Sequence, residues 1–320
     1  MPGNASRGES GAKSDTTPAV EQAKLVGSML LNLVVPRDVQ AELRTPGLFL
    51  ELGVDEPLLE YPWELMHDDD EFLCLKQYVG RFVNVTKPGI PPRQQPETLA
   101  PGPLSVLIIS VPQPQPRPPN LTYDSLPGAE AETTAIVECL TPFGASIKVS
   151  LLKGPRATFD NVFQAIRGGR YHIVHFNGHA FFKNDRPDLS SLVLFDRDMS
   201  AAQVYAFFGT RPPLFFFMNA CETAVTQSTS AEWKDQYNIF GLARALLETG
   251  AYLVGVRSKV GDAAAAAFAK SFYLALLDGQ PLGRVMQEAR IGCRKASTAD
   301  DLSWASYLFY GDPRLCFTSL

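Results

Sequence analysis

The chain is poor in the features that most quickly betray a function, and each absence closes a class. Its five cysteines (Cys74, Cys139, Cys221, Cys293, Cys316) include no C-x-x-C pair. Their odd number and wide spacing speak against a zinc site, a redox dithiol or a disulfide framework. Free thiols of this kind fit a reducing cytoplasm, the compartment expected here. The 34 acidic and 29 basic residues form no block of like charge, and the net charge of -5 offers no footprint for nucleic acid and no polybasic patch for a membrane. No stretch approaches the roughly 18 consecutive apolar residues of a membrane span, and the opening residues lack the apolar core of a signal peptide. No G-x-G-x-x-G follows the first core strand and no Walker loop occurs, which argues against a nucleotide-binding α/β protein. No repeat is visible at the roughly 20 to 50 residue periods of solenoids and propellers.

What is present is core: 320 residues with 45% hydrophobic content, enough for one large domain or two small ones. Residues 1–21 read as a disordered tail. Residues 22–103 read as a small β-rich unit, with strands over Met29–Val35, Leu48–Leu52 and "RFVNV" and a helical turn at Pro62–Leu65. It ends in a linker, "TKPGIPPRQQPETLAPGP", whose six prolines in eighteen residues each remove an amide donor. From 104 to 320 the pattern alternates regularly. Six short apolar runs, "LSVLIISV", "SIKVSLL", "YHIVHF", "SLVLF", "PLFFFM" and "AYLVGV", are separated by amphipathic segments. That pattern predicts βαβ units and a largely parallel sheet covered on both faces. Asp262 is placed to cap a helix bearing Phe268, Phe272 and Leu276, and Gly250 to end another in a left-handed turn.

In such a sheet, reactive groups gather at the carboxyl ends of strands. Two ends stand out. "YHIVHFNGHAFF" holds three of the four histidines, His172, His175 and His179. The first two point to opposite faces of a strand, while His179 lies beyond it. "PLFFFMNACETA" empties a strand into Asn219, Ala220 and Cys221. A thiol works as thiolate, and a histidine within reach can take its proton, so His179 and Cys221 form the candidate catalytic pair. The amides of Cys221 and of Ala180 are candidate oxyanion donors, with Gly178 giving the turn its freedom. A zinc site at "HFNGH" is disfavoured, because the spacing needs a helix and Asn-Gly breaks one. No metal or cofactor is expected.

These two segments, with "YPWELM", "GLARALLETGAYLVGV" and "LSWASYLFYGDPRL", resemble the CHAT family of caspase-like cysteine peptidases, relatives of caspases, metacaspases and separase, over residues 30 to 317. The resemblance implies a caspase-haemoglobinase fold: a three-layer sandwich with helices on both faces of a mostly parallel sheet, preceded by the β-rich unit. It implies His179 as general base, Cys221 as nucleophile and an oxyanion hole built from the Ala180 and Cys221 amides, at a position where the family commonly has glycine in place of Ala180. It places Asn219 in the pocket for the residue preceding the scissile bond and gives His175 a packing or supporting role. Asn219 carries no charge of its own; a carboxylate could come from Glu222, Asp185, Asp188 or Asp196. The Pro-rich 112–119 segment and the 183–190 loop are expected to rim the cleft, and Trp63 and Trp304 to anchor packing. The implied function is cleavage of a protein substrate by a bacterial effector switched on by a sensor or regulatory partner, in defence or regulated death. A non-catalytic caspase-like interaction module is the alternative.

Overall fold

The computed structural model describes residues 18–59, 61–84, 103–117, 121–181, 183, 187–209, 212–220 and 240–317. In chain order the elements are α1 (Ala19–Val34), α2 (Arg37–Glu42), β1 (Phe49–Asp55), α3 (Leu73–Lys76), β2 (Tyr78–Asn84), β3 (Leu104–Ser110) and α4 (Pro127–Leu140). There follow β4 (Ile147–Lys153), α5 (Phe159–Gly168), β5 (Ile173–Asn177), β6 (Ala180–Phe181), β7 (Ser191–Val193), β8 (Asp198–Ser200) and α6 (Ala201–Phe208). The last are β9 (Phe215–Asn219), α7 (Phe240–Leu247), β10 (Tyr252–Val256), α8 (Asp262–Leu277), α9 (Leu282–Lys295) and β11 (Tyr307–Tyr310).

Eight strands form one sheet in the order β1-β2-β11-β10-β9-β5-β3-β4. Every neighbouring pair is parallel except β10 with β11. Alternation along the central strands divides the core. Val106, Ile108, Ile173, Phe215, Phe217 and Val254 face α4, α8 and α9, while Leu107, Ile109, Val174, Phe176, Phe216 and Leu253 face α5, α6 and α7. Burial on both faces is why these strands read as unbroken apolar runs. This is the mixed α/β sandwich expected of a caspase-haemoglobinase fold.

Four local expectations are corrected. Met29–Val35 is not a strand but the end of α1. Its buried residues Ala23, Gly27, Leu30 and Leu31 recur at helical spacing, and its β-branched residues lie chiefly at the ends. The "SLVLF" run does not join the parallel sheet; β7 pairs antiparallel with β6 and β8 in a separate three-stranded sheet. Asp262 is the first residue of α8 and makes no cap bond, the N-cap being Gly261. "SYLFY" supplies β11, a strand not anticipated. The β-rich opening is also continuous with the main sheet, since β2 meets β11 at Arg81 and Tyr310. Of the expected tail, residues 1–17 lie outside the described residues, and helix begins already at Ala19.

Other expectations fit. Gly250 has φ 87° and ends the α7 segment. Trp304 is buried against Phe72 with ring centroids 4.8 Å apart, and Trp63 lies in a satellite core with Leu30, Leu31 and Val54. No helix among the described residues is long and apolar enough to cross a membrane.

Candidate active site

The site is built at the paired ends of β5 and β9. Their register aligns Ile173 with Phe215 and continues to Asn177 opposite Asn219, so both strands end level. The Gly178 amide donates to the Asn219 carbonyl at 3.3 Å, extending the pairing one step further. His179 is the second residue past Asn177, as Cys221 is the second past Asn219. Cys221 and Glu222 themselves lie outside the described residues.

The His179 ring is fully buried. It stacks on Tyr123, with centroids 5.6 Å apart and planes at 29°. Its Nε2 lies 2.7 Å from the backbone carbonyl of Asp124. A carbonyl can only accept, so Nε2 carries the proton, and in the neutral ring Nδ1 holds a lone pair. Nδ1 is buried with no partner among the described residues. Burial lowers the pKa of the ring from its ordinary value, and the bond to Asp124 opposes that only in part. The arrangement is therefore a neutral, oriented imidazole with a bare basic nitrogen, the form needed to accept a proton from a thiol.

Ala180 follows directly. The Val193 amide donates to the His179 carbonyl at 2.9 Å. In an antiparallel ladder the residue next along, Ala180 opposite Leu192, then falls in a non-hydrogen-bonded position. Its N–H is thus directed away from β7, as an oxyanion donor requires. Ala180 is not among the residues with positive φ, so a methyl group costs nothing there. Gly178 does not have positive φ either, which corrects the expected role of that glycine. A Cβ there would come within 3.0 Å of Phe176 Cζ and 3.3 Å of Val111 Cβ, so the position is closely packed.

His175 points to the opposite face from the β6–β8 sheet. It is buried and stacked on Phe217, with Nε2 3.1 Å from Glu132 Oε1 and Nδ1 3.2 Å from the Tyr273 hydroxyl. The other carboxylate oxygen of Glu132 accepts from Asn219 Nδ2 at 2.7 Å. The sequence reading missed the partners of both histidines: Glu132 and Tyr273 for His175, and Tyr123 and Asp124 for His179. Only Glu132 carried a signal, an acid on the same α4 stripe as Gly128, Ile136 and Leu140.

Asp196 is not brought to this place. Its carboxylate accepts from the Phe159 amide at 2.8 Å, satisfying the first free N–H of α5, whose N-cap is Thr158. The 112–117 segment is tied to the β7–β8 side, where Gln115 bonds the Phe195 carbonyl and Arg117 bonds those of Leu194 and Phe195. Neither it nor residues 187–190 line the cleft beside His179, while residues 118–119 and 184–186 of the expected rim lie outside the described residues. No cluster of metal-ligating side chains occurs among the described residues.

This fold is that of the caspase-like cysteine peptidases. The CHAT domain model matches residues 23–312, and the chain belongs to that family. Among solved structures, the Arg-specific cysteine proteinase gingipain R (RGPB) is similar at TM-score 0.51 and 16% identity, over 75% of this chain and 55% of that one. The complex of Porphyromonas gingivalis RgpB pro- and mature domains is similar at TM-score 0.55 and 13% identity, over 90% of this chain and 71% of that one. Caspase-1 from Spodoptera frugiperda is similar at TM-score 0.38 and 11% identity, over 68% and 91%. No curated protein sequence matches at a significant level. The chain spans little more than half of the gingipain R chain.

Proposed function

We propose that the protein is a cysteine endopeptidase. His179 Nδ1 takes the Cys221 thiol proton, and the thiolate attacks a peptide carbonyl. The oxyanion is held by the Ala180 and Cys221 amides. His179 then gives its proton to the departing amine, and water hydrolyses the thioester. The observation that carries this reading is the buried, unpartnered Nδ1 at the end of a strand whose register partner lies two residues before a cysteine. Each residue adds about 3.8 Å of chain and parallel strands run about 4.8 Å apart, so two residues past level ends suffice to bring the groups together.

The three buried thiols do not compete well. Burial pushes Cys74 and Cys293 up to about 12 and raises Cys139, leaving almost none of each as thiolate near neutrality. In this reading the substrate is a protein, and the enzyme is a cytoplasmic bacterial effector in a defence or regulated-death system, restrained until a sensor or regulatory protein switches it on.

An electrophilic peptide probe tests the chemistry. A covalent adduct on Cys221, lost in His179→Ala, is expected, and Cys221→Ala and His179→Ala should each abolish cleavage of a substrate protein. An adduct on Cys139 or Cys293, or processing that survives both substitutions, would overturn the assignment.

A further inference from the structure

Residues 112–117 leave the end of β3, and residues 121–126 return to α4. The base of this loop is closed by the Leu126 amide, which donates to the Pro112 carbonyl at 2.8 Å. Pro112, Pro114 and Pro116 have no amide to give, so the residues alternating with them make the bonds. Gln113 Nε2 donates to the Tyr123 carbonyl at 3.2 Å, the Gln115 amide to the Phe195 carbonyl at 2.9 Å and the Arg117 amide to the Leu121 carbonyl at 2.7 Å. The returning limb carries Tyr123 and Asp124, the ring and the carbonyl that hold the His179 imidazole.

The Arg117 side chain fastens the loop. Its Nη1 donates to the carbonyls of Phe195 at 3.0 Å and Gln115 at 2.9 Å, and its Nη2 to that of Leu194 at 2.8 Å. Nη2 also lies 3.6 Å from Asp198 Oδ1, and only 15% of the side chain is exposed. The guanidinium sits 5.6 Å from the centroid of the Tyr123 ring, which stacks in turn on His179. Val193, the residue before Leu194, donates its amide to the His179 carbonyl at 2.9 Å. Residues 193–195 therefore hold His179 twice, by its backbone through Val193 and by its side-chain partners through Arg117. We propose that Arg117 is a positioning residue that fixes the His179 ring with its proton on Nε2, by fastening the 112–126 loop to Leu194 and Phe195. The two-pronged guanidinium is what this needs, since it reaches two successive carbonyls at once as an ammonium group does not. That the ring so held serves as a base rests on the peptidase reading; that Arg117 holds it does not.

The test uses the full chain with 15N-labelled histidine. The parent ring of His179 should show one tautomer, protonated on Nε2. Arg117→Ala, and equally Arg117→Lys, should lose that single-tautomer pattern as the Asp124 carbonyl moves from Nε2. Alkylation of Cys221 by iodoacetamide, located by mass spectrometry, should slow about tenfold in both variants, a part of the roughly hundredfold or more that a positioned base contributes. Arg197→Ala is the control, because that guanidinium bonds Asp160 at 2.6 Å and lies over Phe159; it should match the parent in both measurements. A parent-like tautomer in Arg117→Ala, its full restoration by lysine, or the same loss in Arg197→Ala would overturn the assignment. Arg117→Lys carries the test if the alanine variant does not fold. A tautomer lost with Arg117, in a protein whose Cys221 alkylates equally fast in His179→Ala, leaves the positioning role standing and removes the catalytic pair. Alkylation that needs His179, with a tautomer indifferent to Arg117, does the reverse.

Discussion

Two buried glutamates, Glu132 and Glu64, organise different parts of the same sheet, and they leave opposite things unfinished. Glu64, in "YPWELM", is paired through both oxygens with Arg81 of β2 and approached by Arg290 of α9 at 4.0 Å. Around it, donors are in excess: Arg81 Nη1 and Arg290 Nε and Nη1 have no partner among the described residues. Around Glu132 the excess is of acceptors, Asn177 Oδ1 and, nearby, His179 Nδ1. The first cluster binds α9 and β2 to the opening segment. The second opens onto the cleft next to His179. Bare donors surround one carboxylate, whereas bare acceptors gather beside the other at level strand ends.

The comparison breaks most visibly at Glu64. Removing it leaves two buried guanidinium groups uncompensated, so Glu64→Ala should cost about 3–5 kcal/mol in denaturant unfolding. A loss under about 1 kcal/mol would mean that the cluster is hydrated and not a clamp. Glu132→Gln keeps the shape of the side chain and should cost less, about 1–3 kcal/mol. If it costs as much as Glu64→Ala, the two glutamates are equally structural.

Tyr123→Ala removes the ring that flanks His179. A stability loss of about 0.5–1.5 kcal/mol beyond area is expected, with a fall in Cys221 alkylation rate by iodoacetamide. An unchanged alkylation rate would sever the stack from the chemistry.

The smallest effect is in pH. The folded-state pKa of His179 lies below its ordinary value of 6.5, so between the two the unfolded chain binds a proton that the folded chain refuses. Stability from the neutral ring is present above pH 6.5 and is lost as pH falls toward the folded value. The acid limb of kcat/KM should fall below pH 6.5 for the same reason. A limb above it would mean that burial does not govern the ring.

The fold was legible wherever burial on both faces writes an apolar run, as in β3, β5, β9 and β10. It was illegible where the same composition serves another purpose: "MLLNLVV" forms a helix because only one stripe of α1 is buried, and "SLVLF" is buried without belonging to the main sheet. At the site, the strand ends and His179 were legible because a polar turn interrupts an aromatic run. The partners of His179 were not, since Asp124 contributes only a backbone carbonyl, which no side chain announces. Asp196 looked available as a loop acid, but the first free amide of α5 claims it.

The level ends of β5 and β9 also constrain how the sequence can drift. A residue inserted or deleted within either strand would turn its side chains to the other face and carry His179 or the Cys221 segment out of step with its neighbour. Length variation between relatives should therefore accumulate between the strands and be purged within them, so that counting residues from Ile173 and Phe215 locates the pair more reliably than matching the intervening sequence does.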